Sequence, residues 1–485
     1  MKPNILWICT DQQRFDSLGC YGNQKIDTPN IDRLAEEGVL FQNVYCQSPV
    51  CSPSRASFLT GRYPRTCRVR QNGQKIPETE RLVSKLFADS GYTCGLSGKL
   101  HIAPCHPSVS PSSEPRIDDG YHVFHWSHHP DFYGKKESNW PLNEYNIWLS
   151  EQGEAYKRIP YENSKYVFVG MDRHLSQSRW CAHNAISFIN AHSAYARPWF
   201  FSLNFYDPHH DFDPPRDLLE KYLQRVDESD LPDYEAEEWR QKPYVQQRDH
   251  KGAYDTPGFF DFDQMTDQDH LQVKAAYYAM VELIDQEVGR VIHALRASGQ
   301  YENTIVIFTS DHGEMLGDHG IYLKGPYFYD SLVKVPLIIT WPGRILEGKE
   351  REALTELLDL APTLLDLANL DPYPGMQGKS LKKLLTEKDA PDHHRDAVYS
   401  EYYNSMGNHQ DLKAYLTMVA DRRYKMVYCH SSSQGELYDR ETDPGEHTNL
   451  YCRSEMTKVR LSMLETMTNK MAFTIDPLPD REAIY

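Results

Sequence analysis

The chain has 485 residues, of which 40% are hydrophobic and 12% aromatic, and its formal net charge is −17. This length and composition suit one large α/β domain with a sizeable core, together with a smaller domain. The negative charge argues against general binding of nucleic acid or of an anionic membrane surface, because both need a basic face. A small anionic substrate would instead need a local cluster of Lys, Arg and His side chains.

Ten cysteines are spread along the chain without a C-x-x-C pair or a small-domain disulfide framework. This pattern argues against a zinc site or a thioredoxin-like site. Residues 1–4 lead directly into an apolar run, with no signal-peptide core and no stretch long enough to span a bilayer. The sequence as it stands predicts a cytoplasmic protein, or a periplasmic or secreted one if a signal peptide has been removed.

The first apolar run, residues 5–10, predicts a strand that is buried on both faces of a parallel sheet. Asp11 and Gln12 follow it directly, at the carboxyl end where open α/β sheets bind ligands. An aspartate in this position is also compatible with a turn or a helix N-cap. Thr28-Pro29 predicts the start of an amphipathic helix, and residues 41–45 predict the next strand.

That strand leads to Cys51-Ser52-Pro53-Ser54-Arg55, followed by a Leu-Thr-Gly-Arg turn. Taken alone, Cys51 is equally compatible with a buried structural thiol. A thiolate phosphatase would need its arginine six positions after the cysteine, where this chain has Ser57. A five-residue pattern with free positions arises by chance, so the interpretation depends on the other motifs.

Two further clusters follow predicted strands. Residues 92–97 lead into Gly98-Lys99-Leu100-His101, where Lys99 and His101 would project to one face if the segment is extended. Residues 198–205 lead into Asp207-Pro208-His209, where stiff prolines could aim His209 at a leaving group or leave it as a surface histidine. Asn72 lies in a turn that could face the same site.

Residues 272–297 predict a long amphipathic helix, and residues 304–309 predict another buried strand. Asp311-His312 follows this strand as Asp11-Gln12 follows the first. Carboxylate and carboxamide oxygens with one imidazole suit a hard or borderline divalent cation. Glu314 and Asp318-His319 rank lower as ligands, and Lys324 follows shortly after them.

The remaining stretches define the domain organisation. Residues 334–341 predict one more strand and residues 357–367 a helix. Residues 104–175 have little periodicity and residues 217–265 are acidic and rich in tyrosine, so both are expected to be long excursions. Beyond about residue 385, short alternating strands and a closing helix from Met456 predict a smaller antiparallel sheet with a helix. We therefore divide the chain into domains 1–385 and 386–485.

Taken together, C-x-P-S-R with L-T-G-R, G-K-x-H, P-H-x-x-F, T-S-D-H-G and E-L-Y-D resemble the motifs of the formylglycine-dependent sulfatases over nearly the whole chain. The resemblance implies an α/β fold, an alkaline-phosphatase-like sandwich with a central, mostly parallel sheet flanked by helices and a smaller C-terminal antiparallel subdomain. It also implies that a formylglycine-generating enzyme converts Cys51 to 3-oxoalanine (formylglycine). In the family, the hydrate of this aldehyde attacks the sulfate ester.

The resemblance further implies a role for each candidate residue. One divalent cation, Ca²⁺ first and Mn²⁺ as the alternative, would be held by five residues: Asp11, Gln12, Asp311, His312 and the modified Cys51. Four residues would bind the sulfate: Lys99, Lys324, Asn72 and His209. Arg55 would support the hydrate and His101 would act as its base, while His209 or Lys324 would protonate the leaving alcohol.

Two positions depart from the family pattern. Many sulfatases carry Asp-Asp where this chain has Asp11-Gln12, and Asn where it has His312. The same pairs are similar to those of phosphonate and phosphodiester hydrolases in the superfamily, which lack the lysine and histidine of G-K-x-H. We therefore predict a sulfuric-ester hydrolase for a carbohydrate or aryl sulfate. The alternatives are a phosphonate monoester or phosphodiester hydrolase, or a catalytically silent module that binds metal and sulfoglycan.

Overall fold

The structure, a computed structural model, describes residues 2–479 apart from 131–139, 163, 196, 237 and 406. Its strands are β1 (Asn4–Thr10), β2 (Val39–Phe41), β3 (Val44–Tyr45), β4 (Thr93–Gly98), β5 (Val123–Trp126), β6 (Ile159–Pro160), β7 (Phe168–Val169), β8 (Trp199–Asn204), β9 (Thr304–Ser310), β10 (Leu337–Thr340), β11 (Lys349–Arg351), β12 (Thr355–Glu356), β13 (Val398–Tyr403), β14 (Tyr415–Ala420), β15 (Tyr424–Cys429) and β16 (Gln434–Asp439). Its α-helices are α1 (Pro29–Glu36), α2 (Cys51–Thr60), α3 (Pro64–Cys67), α4 (Val83–Asp89), α5 (Glu144–Glu151), α6 (Gln177–His192), α7 (Arg216–Leu223), α8 (Tyr244–His250), α9 (Asp267–Ala297), α10 (Asp330–Val333), α11 (Leu360–Leu367), α12 (Lys382–Thr386) and α13 (Thr457–Phe473).

The central sheet has eight strands in the order β11-β2-β10-β9-β1-β8-β4-β5. All neighbouring pairs are parallel except the two made by β10, which runs antiparallel to β9 and to β2. The prediction of a mostly parallel sheet is therefore confirmed. The central strands β1, β8 and β9 are buried along their whole length, as their continuous apolar runs predict.

Helices cover both faces of this sheet. Along β1, Ile5 and Trp7 pack into the core that contains α2, α4 and α11, whereas Leu6 and Ile8 pack into the core that contains α1, α6, α7 and α9. This division follows from the alternation of side chains along a strand. The longest described helix, α9, has Thr266 as its N-cap residue. The side chains of Thr266 and Asp269 form a reciprocal capping box.

Several predicted boundaries were wrong. The segment 41–45 contains only the last residue of β2, followed by β3, and residues 334–336 precede the strand β10. The segment 104–175 is not simply an excursion, because its residues Val123–Trp126 form the edge strand β5 of the central sheet and α5 packs beside it. The intermediate burial of β5 explains why no apolar run marks it. Part of this insertion, residues 131–139, lies outside the described residues.

The C-terminal strands β13 to β16 form a separate four-stranded antiparallel sheet, as predicted. One of its faces, which includes Tyr399 and Leu437, packs on Met463 and Met467 of α13. Residues of the opposite face, among them Val398 and others of β14 and β15, join the core of the main body. The division at residues 385 and 386 stays a prediction. In the described part of the chain, no helix is both long enough and apolar enough to cross a bilayer.

Candidate active site

The carboxyl ends of two central strands bring together the residues that follow them. In the parallel pair β1 and β9, Thr10 lies opposite Ser310, so Asp11 and Asp311 emerge side by side. The helix α2 begins at Cys51 and is buried throughout. Its first turn is fixed to the same edge of the sheet, because the Ser54 hydroxyl donates to the Asp311 carbonyl at 2.6 Å.

Four buried side chains form a compact cluster there. One ligand atom from each of Asp11, Cys51, Asp311 and His312 lies within 4.8 Å of the others. His312 Nδ1 lies 2.8 Å from the Gly313 carbonyl, which fixes the proton on Nδ1 and leaves Nε2 facing the Cys51 sulfur at 3.2 Å. An imidazole with a free nitrogen and two carboxylates are ordinary ligands of a divalent cation.

Gln12 contributes a further oxygen to this edge. Its backbone has a φ of 65°, and its side-chain amide group donates to the Glu314 carboxylate. The other Glu314 oxygen accepts from the backbone N–H of Leu316 at 3.0 Å, so the carboxylate is held in place. Gln12 Oε1 is buried and has no hydrogen-bond partner among the described residues. A buried oxygen without a hydrogen-bond partner is well suited to bind a hard cation.

Arg55 orients the carboxylates. Its Nε donates to Asp311 at 2.8 Å, one terminal nitrogen donates to Asp11 at 3.3 Å, and the other donates to the Lys99 carbonyl at 3.0 Å. Lys99 Nζ also contacts Asp11. Although burial acts to raise the pKa of Asp11, Lys99 and Arg55 hold it well below its usual range. Arg55 therefore binds the carboxylates of Asp311 and Asp11. Its predicted interaction with the aldehyde hydrate of residue 51 stays a prediction.

Lys324 reaches the cluster from the opposite side. Its Nζ lies 2.8 Å from the Cys51 sulfur, 2.9 Å from His209 Nε2 and 3.4 Å from His312 Nε2. Burial and Asp11 act to raise the pKa of Cys51, but Lys324, Lys99 and His312 outweigh them and lower it. Burial, followed by Lys324, lowers the pKa of His209, so its imidazole is neutral at neutral pH.

His101 and Asn72 are two further residues for which the sequence predicted a role in the site. The expectation of an extended segment from Lys99 to His101 was wrong, since His101 has a φ of 58°. Burial, followed by Lys99, holds the pKa of its imidazole well below the usual range. The Asn72 side-chain oxygen accepts from the Ser52 N–H at 3.0 Å, at the start of α2. The structure therefore brings Asn72 next to Cys51, while its contact with a substrate stays a prediction.

Sequence reasoning missed three residues that shape the site. Glu114 accepts the His101 N–H at 2.8 Å, His210 Nδ1 lies 3.4 Å from the Gln12 amide, and the Tyr206 hydroxyl lies 2.9 Å from His209 Nδ1. Glu114 lies in a stretch without periodicity, and no local signal marks it. Glu314, which the sequence ranked lower as a ligand, does lie at this edge and accepts from the Gln12 amide group.

This fold and site define a hydrolase of the alkaline phosphatase superfamily. A sequence model of the sulfatase family matches residues 3–370, and a model of the C-terminal region of N-sulphoglucosamine sulphohydrolase matches residues 317–472. The chain belongs to the sulfatase family, and it is a sulfuric-ester hydrolase.

Two relatives that are named sulfatases agree with this assignment, and one solved structure of a different hydrolase is also similar. The chain is 32% identical to an arylsulfatase of Clostridium perfringens over 480 residues, which is 97% of this chain and 94% of the relative. It is 25% identical to an N-acetylglucosamine-6-O-sulfatase of Bacteroides thetaiotaomicron over 532 residues, or 99% and 88% of the two chains. Among solved structures, a phosphonate monoester hydrolase of Agrobacterium radiobacter aligns with a TM-score of 0.81 and 26% identity, covering 98% of this chain and 97% of the other.

Proposed function

We propose that the protein hydrolyses a sulfated carbohydrate by means of a formylglycine at position 51, with one divalent cation bound beside it. The observation that carries this proposal is the convergence on the Cys51 sulfur of His312 and Lys324 at 3.2 and 2.8 Å, with Asp11 at 3.6 Å. The hydrated aldehyde would supply two hydroxyl groups, one to attack sulfur and one to expel the sulfate afterwards.

The residues fit the proposed cation. Asp11, Gln12, Asp311 and His312 would hold it, with the oxygen of the modified residue 51, and Gln12 Oε1 has no hydrogen-bond partner in the described part of the chain. The cation would stabilise negative charge that develops on the sulfate oxygens. Oxygen ligands outnumber the single imidazole in this set, which supports Ca²⁺, with Mn²⁺ as the alternative.

Beside the cation, side chains of the protein would bind the ester and transfer protons. Lys99 and Lys324 would neutralise sulfate oxygens, since both ammonium groups are buried at the cluster. His101 is neutral at neutral pH and so can accept the proton that the hydrate loses. The contact of 2.9 Å between Lys324 Nζ and His209 Nε2 supports transfer of a proton to the leaving alcohol from Lys324, directly or through the neutral imidazole of His209.

The alcohol half of the ester is proposed from one relative. The protein that is named an N-acetylglucosamine-6-O-sulfatase aligns over 99% of this chain, which supports a sulfated sugar. The arylsulfatase relative supports turnover of an aryl sulfate as well. Maturation would require a formylglycine-generating enzyme in the host.

The rival function is hydrolysis of a phosphonate monoester, which the TM-score of 0.81 to a phosphonate monoester hydrolase favours. We expect a higher kcat/KM for 4-nitrophenyl sulfate than for a 4-nitrophenyl phosphonate monoester, because Lys99 and His101 both lie at the site. The assay would use protein whose residue-51 peptide carries the aldehyde by mass spectrometry, with Cys51→Ala as the blank. Preference for the phosphonate would favour the rival function.

Glu314→Gln is expected to weaken metal binding without removing a metal ligand. The new amide group would face the Gln12 amide group, so Gln12 would turn its nitrogen toward the cation. Changes in such supporting contacts lower metal affinity by about 10–100-fold. Calcium titration by calorimetry measures this change, and excess Ca²⁺ should restore much of the activity. Wild-type affinity in the variant would contradict the role given to Gln12.

A further inference from the structure

Three soft or borderline ligands lie together, and the proposed base His101 is one of them. One ligand atom from each of His101, Cys105 and His128 lies within 4.8 Å of the others. The fold explains why these residues lie close together, because β4 and β5 are parallel neighbours and Gly98 lies opposite Trp126. His101 and His128 follow these two strand ends by three and two residues, which places their loops at the same edge of the sheet.

The imidazoles of this group lack the partners that buried nitrogens normally have. His101 Nδ1 and both ring nitrogens of His128 have no hydrogen-bond partner among the described residues. The two residues are only 7% and 8% exposed, and their rings meet edge to face at 4.9 Å and 85°. An unsatisfied buried polar group is unfavourable, so three unpaired nitrogens in one place indicate a ligand.

Glu114 holds the loop that carries two of the three side chains. Its carboxylate accepts the backbone N–H of His101 at 2.8 Å and that of Ala103 at 3.0 Å, and also the Trp126 indole N–H at 3.1 Å. Both the loop after β4 and the last residue of β5 are therefore tied to one anion. The carboxylate also adds negative charge next to the group, which would help to balance a bound cation.

Metal binding by this group would release one proton. Burial, the largest cause, holds the pKa of both imidazoles well below the usual range, so they are neutral ligands at neutral pH. Burial and Glu114 raise the pKa of the Cys105 thiol. A metal ion must therefore displace the thiol proton to solvent as the sulfur–metal bond forms, and metal affinity should rise with pH.

We propose that His101, Cys105 and His128 form a second metal site, selective for a thiophilic cation such as Zn²⁺, and that its occupation inhibits the sulfatase. One thiolate and two imidazoles with an open fourth position are typical of zinc, whereas Ca²⁺ selects the oxygen ligands around Asp11. The sequence did not predict this site, because its ligands lie four and 23 residues apart, outside any C-x-x-C pattern. The inhibition rests on the proposed role of His101, and the binding does not.

Binding is tested with Co²⁺ as the probe, in a Cys51→Ala background that removes the thiol grouped with Asp11, Asp311 and His312. With Ca²⁺ in excess, we expect near-ultraviolet absorption from thiolate-to-cobalt charge transfer. This band should disappear on adding Cys105→Ala, weaken on adding His128→Ala, and persist on adding Cys20→Ala, a control thiol of similar partial exposure. Absence of the band, or its persistence without Cys105, would overturn the site.

Inhibition is tested on the converted, Ca²⁺-loaded enzyme. We expect Zn²⁺ to lower the hydrolysis of 4-nitrophenyl sulfate by about 10²-fold or more, the scale on which loss of a general base lowers rate. Cys105→Ala should keep the activity and lose the sensitivity to Zn²⁺. Equal inhibition of this variant would place the inhibitory zinc at the first metal cluster and overturn the proposal. A cobalt band without inhibition by Zn²⁺ would support the metal site and contradict the proposed role of His101 as the base.

Discussion

Cys51→Ser is expected to lower kcat for a sulfate ester by on the order of 10⁴-fold or more, the scale on which an enzyme loses rate with its nucleophile. A serine hydroxyl can attack sulfur once, but it has no second hydroxyl to expel the sulfate and would retain a stable ester. We therefore expect at most one equivalent of alcohol per protein, and a peptide that carries the sulfate. Mass spectrometry of the residue-51 peptide and a burst assay measure both.

A matched thiol supplies the control for this prediction. Cys67 is as buried as Cys51, and its sulfur lies near the Pro64 carbonyl, away from the metal cluster. Cys67→Ala should keep turnover per folded molecule even if its stability falls. Multiple turnovers by Cys51→Ser at the wild-type rate would show that the hydrate is not the nucleophile. Active wild-type protein with an unmodified Cys51 would also show that the hydrate is not the nucleophile.

Much of the site was predictable because its residues follow buried strands. The apolar runs before Asp11 and Asp311 mark two central parallel strands, and such strands deliver the residues after them to one edge of the sheet. The same reasoning placed Lys99 after β4 and His209 after β8. Strand ends therefore predict that Asp11 and Asp311 lie close together, whereas the place of Cys51 in the cluster and the ligand roles come from the resemblance to the sulfatases.

What could not be predicted depends on backbone conformation and on contacts distant in sequence. The left-handed φ of His101 has no local sequence signal, and it redirects the imidazole toward His128. His128 reaches this position only because β5 adds an edge strand, whose short and partly exposed sequence carries no apolar run. The orientation of Gln12 is similarly set by Glu314, through a contact that its own segment does not encode.

Asp311→Asn is expected to remove both the cation and the activity. The Asp311 carboxylate accepts the backbone N–H groups of Gln12 at 3.0 Å and His312 at 2.9 Å, and it also accepts Arg55 Nε. Loss of its charge would remove a proposed metal ligand and disturb the orientation of two others. Because the cation would stabilise charge on the substrate, we expect kcat/KM to fall by on the order of 10³-fold.

The measurement is metal content by mass spectrometry, with thermal unfolding in Ca²⁺ and in chelator. A cation that binds only the folded state raises the melting temperature, so chelator should lower it in the wild type and leave Asp311→Asn unchanged. Asp359→Asn is the control, since this buried carboxylate is paired with Arg395 outside the site. It should lose stability but retain the cation and turnover. Full metal content in Asp311→Asn, or its loss in Asp359→Asn, would mean that the cluster of Asp11, Asp311 and His312 is not the metal site.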